Sequence, residues 1–103
     1  MKINESLKGA DLTMLLDGNF DDVNSPAIEK RLDQNLMKND IKNICFDLAK
    51  VKYISSAGIR VLIAAHKKAI KTDKRVLIGA MSVKVQEILD MVGILRLFTQ
   101  QGR

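Results

Sequence analysis

One cysteine, one histidine, one proline, no tryptophan and only four aromatic residues among 103 exclude several kinds of protein at the outset. Cys45 has no second cysteine with which to form an internal disulfide or a multi-cysteine metal cluster, so a reducing, cytoplasmic compartment is expected. His66 is the sole imidazole, which leaves little for metal chemistry, and no metal or other cofactor is expected. No apolar run approaches the roughly 20 residues that span a bilayer. The start, Met1-Lys2-Ile3-Asn4-Glu5, lacks the long apolar region of a secretory signal. There is no Walker A or dinucleotide-binding glycine fingerprint. Without tryptophan, the core must be built from Ile, Leu, Val, Ala and Met.

Hydrophobic residues make up 47% of the chain. A chain of this length buries somewhat over 60% of its unfolded surface, enough for one core without a metal or disulfide staple. A single domain over residues 1–103 is therefore expected. Leu12-Thr13-Met14-Leu15-Leu16, closed by Asp17-Gly18, reads as a buried strand, with a weak edge strand over Ile3–Leu7 and a turn at Lys8-Gly9-Ala10-Asp11. Ser25-Pro26 marks a helix start, Ser as cap and Pro preorganised for the first turn. Ile28, Leu32 and Leu36 then put one apolar face on a helix from about Pro26 to Lys38.

Ile44-Cys45-Phe46 reads as a second buried strand, with Cys45 as a small core residue. Length and alanine content favour a helix from about Ala57 to Thr72. Val76-Leu77-Ile78-Gly79 is a third strand. Ser82 caps a helix whose Val85, Ile88, Leu89 and Val92 fall at i, i+3, i+4 and i+7, ended by Gly93. The segment Ile94–Phe98 is expected to pack back onto the domain. Strands and helices alternating with short connections predict an α/β fold, helices packed on a mixed, largely parallel sheet.

The formal net charge of +5 points at first to a polyanionic partner, but the excess is local. Residues 1–49 carry a net −3. Between positions 50 and 75, Lys50, Lys52, Arg60, Lys67, Lys68, Lys71, Lys74 and Arg75 face a single acid, Asp73. Five of these bases cluster at the end of the predicted second helix, where the helix dipole favours cations, so a solvated helix end explains them without nucleic acid. A nucleic-acid or anionic-ligand binder using segment 50–75 is the less favoured alternative, because aromatic platforms are missing. Catalysis has still less support. His66 sits between Ala65 and Lys67 as a helix-surface or boundary residue, and Asp21-Asp22 are neighbours without a defined facing geometry.

The informative stretch is Ser55-Ser56-Ala57-Gly58-Ile59-Arg60, which delivers two hydroxyls to a helix N-terminus. One serine capping the helix is the simplest reading. A phosphate at the same place would meet free N–H groups and the positive end of the helix dipole. The two readings are compatible.

The run Ile44-Cys45-Phe46-Asp47-Leu48, followed by Val51-Lys52-Tyr53-Ile54-Ser55-Ser56-Ala57-Gly58-Ile59-Arg60-Val61-Leu62, resembles the signature of STAS domains, specifically bacterial anti-sigma factor antagonists. Gly18-Asn19-Phe20-Asp21 is similar to that family's Gly-x-Leu-Asp, and the likeness covers nearly the whole chain. It implies a small STAS-like α/β fold and a partner-switching cycle. The unphosphorylated antagonist binds an anti-sigma factor that is also a serine kinase, releasing a sigma factor; the phosphorylated form does not bind, and a phosphatase resets it. The resemblance puts the phosphoacceptor at Ser56 and the partner surface at Asp21, Ser55, Ser56, Ala57, Gly58, Ile59 and Arg60. Ser55 replaces the family's usual acid and Arg60 a usually small residue. The alternative within the same family is an unphosphorylated adaptor subunit of a membrane transport complex.

Overall fold

The computed structural model describes residues 1–101, with side chains described to residue 98. Four strands, β1 (Lys2–Lys8), β2 (Asp11–Asp17), β3 (Asn43–Lys50) and β4 (Arg75–Met81), alternate after the first hairpin with α1 (Ser25–Leu36) and α2 (Ser56–Lys71). Two further helices, α3 (Val83–Met91) and α4 (Leu95–Gln101), follow. The sheet order is β1-β2-β3-β4, with β1 antiparallel to β2 and the other pairs parallel. The expected mixed, largely parallel α/β sheet is what forms. Two successive crossovers advance across the sheet in the same direction, and their common right-handedness places α1 and α2 on one face.

That face holds the core. Leu12, Met14 and Leu16 of β2, Ile44, Phe46 and Leu48 of β3 and Val76 of β4 are buried with Ile28, Leu32 and Leu36 of α1 and Leu62, Ala65 and Ala69 of α2. Between them Thr13, Leu15, Cys45 and Leu77 are only half-buried, because successive side chains of a strand point to opposite faces. Cys45 is thus not the core residue expected from its apolar neighbours. It lies on the face opposite Phe46, with Sγ against the position of Gly79. Burial there, followed by the charge of Asp47, pushes its thiol pKa up.

The edge strand runs from Lys2 to Lys8, beyond the weak segment expected, because Glu5 ties it to α1. Arg31 donates to the Glu5 carboxylate through both Nε and Nη2 at 2.6 Å, and Asn35 Nδ2 donates at 2.9 Å. Lys68 of α2 reaches Glu29 (3.2 Å) and Asp33 (2.9 Å) on α1, and Lys74 Nζ donates to the Lys38 (2.7 Å) and Ile41 carbonyls.

The cap of α1 differs from expectation. Ser25 lies inside α1, buried with its hydroxyl unpartnered, and Asn24 occupies the cap position. Ser82 does cap α3, accepting from Val85 N at 3.3 Å. Gly93, at φ +78°, turns the chain out of that helix as expected. Val92, read as part of the apolar face of α3, falls beyond its end and is half-exposed. Ile94 and Phe98 pack back into the core, Phe98 edge-on to His66 at 5.8 Å.

Candidate functional site

The loops after the carboxyl ends of β2, β3 and β4 meet at one end of the sheet, the usual place for sites in α/β proteins. Phe20 and Ile54 form an isolated parallel bridge that extends the sheet by one residue pair. Phe20 N donates to Tyr53 O (2.9 Å) and Ser55 N to Phe20 O (3.0 Å). These backbone bonds bring Asp21 and Asp22 beside the start of α2. Gly58 makes the approach sterically possible. A Cβ there would lie 2.5 Å from Phe20 O and 2.7 Å from Ile54 Cγ1, so the first turn of α2 has no free space for a side chain at this buried position.

The two serines are not equivalent. Ser55 occupies the cap position of α2 but makes no side-chain capping bond. It is half-buried, and its hydroxyl donates to Asp22 Oδ1 at 3.2 Å. The simple capping expectation is therefore not realised. Ser56, the first residue of α2, is exposed. With no side chain capping the helix start, the N–H groups and positive dipole end beside Ser56 remain available to an anion.

Arg60, one helical turn beyond Ser56, is exposed and lines a groove of about 540 Å³ between α1 and α2, with Asp22, Ser25, Glu29 and Ala57. The other expected partner residues divide by burial. Asp21 is half-buried and works locally, its carboxylate accepting from Asn24 N at 3.1 Å and its carbonyl from Ser25 N at 2.8 Å. Ile59 is half-buried and Gly58 is enclosed, so Gly58 shapes this end without presenting an atom to a partner. The carboxylate that reaches Ser55 is that of Asp22, which sequence reasoning did not single out. No pattern in an adjacent acid pair says which member turns towards a helix 33 residues away.

The basic segment is dispersed. Lys68 and Lys74 are engaged in holding α1 and its following turn, whereas Lys50 and Lys52 lie at the serine end. Among the described residues no group of three or more His, Cys, Asp or Glu side chains is placed to hold a metal ion. No helix among them is long and apolar enough to cross a membrane.

Comparison with known proteins agrees with this geometry. BtrV of Bordetella bronchiseptica, a candidate anti-sigma factor antagonist, is 26% identical over 87 residues, covering 84% of this chain and 74% of BtrV. The Bacillus anti-sigma factor antagonist SpoIIAA, in its unphosphorylated form, superposes with a TM-score of 0.80 over 93% of this chain and 84% of its own, at 11% identity. A sulfate transporter family protein from Wolinella succinogenes has the same fold, with a TM-score of 0.73 at 17% identity over 93% of this chain and 78% of its own. Fold likeness alone therefore does not select a role. The STAS domain family model matches residues 2–102, and the chain belongs to that family.

Proposed function

We propose that this protein is an anti-sigma factor antagonist that binds an anti-sigma factor serine kinase through the end of the sheet bearing Ser56, and that phosphorylation of Ser56 switches the binding off. One observation carries the reading. Of two adjacent serines, Ser55 is half-buried and held by Asp22, whereas Ser56 stands exposed at the first residue of a 16-residue helix. The kinase would transfer a phosphoryl group to Ser56 Oγ, adding about 1.5 to 2 negative charges. The positive end of α2 tolerates that charge in the free protein. A partner packed over Ser56 without a matching cation would lose roughly 2 to 5 kcal/mol, weakening binding about 30-fold to several thousand-fold. That range is enough for a switch.

Arg60 lies at the i+4 position from Ser56, within reach of a phosphate there. In this reading it neutralises part of the charge, so Arg60→Ala widens the affinity ratio between unmodified and phosphorylated forms. Asp21, Asp22, Ala57 and Ile59 complete the partner surface, Gly58 supports it from beneath, and a phosphatase restores the binding form. The similarity to BtrV supports an antagonist role, and the single cysteine suits a reducing cytoplasm.

The test is incubation with anti-sigma factor serine kinases and ATP, phosphosite mapping by mass spectrometry, and affinity measurements on Ser56→Ala and Ser56→Asp. Phosphate found only outside Ser55 and Ser56, or equal kinase affinity for wild type and Ser56→Asp, would refute the switch. Co-purification with a transporter ATPase instead of a kinase would favour the adaptor role.

A further inference from the structure

Resting on the reading of the Ser56 end as a protein-binding surface, we infer that the partner presents an acidic rim around an apolar centre. Lys50, Lys52 and Lys84 are the residues that recognise this rim. The three lysines are separated by up to 34 positions in sequence, and tertiary structure gathers them. Ser82, the cap of α3, donates its hydroxyl to Val51 O at 2.7 Å. This bond seats the first turn of α3, with Lys84, against the segment in which Val51 is flanked by Lys50 and Lys52. All three lysines are exposed. Asp17 is the register partner of Lys50 in the sheet, yet among the described residues no ion pair or hydrogen bond engages any of the three ammonium groups. Lys68 and Lys74 of the same basic stretch are, in contrast, spent on internal contacts.

The same end of the sheet exposes large apolar side chains. Val23 is 84%, Val83 74% and Tyr53 48% exposed. Val23 and Tyr53 sit on two different loops and Val83 opens α3, and these segments are tied by the Phe20 N to Tyr53 O bond and the Ser82 to Val51 bond. Apolar groups that the fold leaves in water at one end, edged by cations that it leaves unpaired, match a protein surface of complementary sign. Asp21 and Asp22 stand at this end too, beside Ser56. Polyanions such as nucleic acid or an anionic bilayer meet repulsion there, as well as apolar groups that phosphates cannot match. A protein can place acids opposite the lysines and avoid the carboxylates. The lysines thus steer encounter, and the apolar groups hold the complex.

The experiment measures association and dissociation rates with a purified anti-sigma factor serine kinase at about 50 and about 300 mM salt, a range over which the Debye length falls from about 14 to about 6 Å. It compares wild type, Lys50→Gln/Lys52→Gln/Lys84→Gln and Ser56→Asp, with circular dichroism confirming folding. The triple variant is expected to associate about tenfold more slowly at low salt, with most of the salt dependence gone and dissociation little changed. Val83→Ser, expected to speed dissociation, supplies an independent readout of the apolar centre. Ser56-sensitive binding with an unchanged rate and salt slope in the triple variant overturns the inference and leaves the proposed function standing. Absence of wild-type binding overturns both. Wild-type binding to duplex DNA or phosphatidylserine vesicles at physiological salt, lost in the triple variant, overturns the assignment to a protein partner.

Discussion

Gly58→Ala tests the packing that creates the Ser56 end. In an unconstrained helix the change stabilises by about 1 kcal/mol, since alanine is the better helix former. Here the new methyl group would lie 2.5 Å from Phe20 O, 2.7 Å from Ile54 Cγ1 and 3.0 Å from Phe20 Cδ1. Two of these atoms cannot swing aside. Phe20 O is backbone and accepts from Ser55 N, and the Phe20 ring is fully buried. Relief requires the first turn of α2 to retreat from the Phe20 loop by several tenths of an ångström. Such overpacking costs about 1 to 3 kcal/mol, and the strained Ser55 to Phe20 bond about 1 more. The net effect is a loss of about 1 to 3 kcal/mol, which for a domain of this size lowers Tm by roughly 5 to 20 °C. Thermal and urea unfolding monitored by circular dichroism read it directly. Ala57→Gly, next in the chain but half-buried and without that clash, serves as the propensity control and should lose about 1 kcal/mol. A Gly58→Ala protein as stable as wild type, or more so, would refute the steric account of how the Phe20 loop and α2 meet.

Three further outcomes follow from the contacts described. Glu5→Gln should destabilise by about 1 to 2 kcal/mol at pH 7. The hydrogen bond from Arg31, and then that from Asn35, holds the Glu5 carboxyl below its ordinary pKa of 4.5 despite the opposing effect of burial. The stabilisation is therefore complete above about pH 4.5 and lost as pH falls through the lower folded value, so wild-type and variant urea midpoints should converge on acidification; a constant gap would contradict this. Gly79→Ala places a methyl group 2.9 Å from Cys45 Sγ, the end of a side chain. It should cost less than Gly58→Ala and be largely rescued by Cys45→Ala in a double-mutant cycle, whereas additive losses would place the strain elsewhere. Lys68→Met removes bridges to Asp33 and Glu29 whose side chains are 50% and 41% exposed; it should lower stability by no more than about 1 kcal/mol, with the difference shrinking in high salt, and a larger loss would show that α1 depends on this link.

The sequence by itself determined the alternation of strands and helices, the placement of Ser82 and Gly93 as start and stop signals, and the serine pair at a helix start. These are local matters of periodicity and capping, legible wherever a chain carries them. It determined less about which side of a strand meets the core. Ile44-Cys45-Phe46 reads as uniformly apolar, but the two-residue repeat of the strand turns Cys45 to the other face. The capping expectations for Ser25 and Ser55 failed for a related reason. Ser25 falls inside its helix, not before it, and Ser55, which does precede one, has several partners within reach, among which only the arriving chain decides. Asp22 takes the Ser55 hydroxyl because the Phe20–Ile54 bridge delivers it there. The basic stretch showed the same limit. Its net charge was plain in the sequence, but packing alone sent Lys68 and Lys74 inward to α1 and its following turn and left Lys50 and Lys52 beside Lys84 at the serine end. Backbone periodicity and capping act over a few residues, whereas the company a polar group keeps depends on contacts 30 or more positions apart, and those exist only in the folded chain.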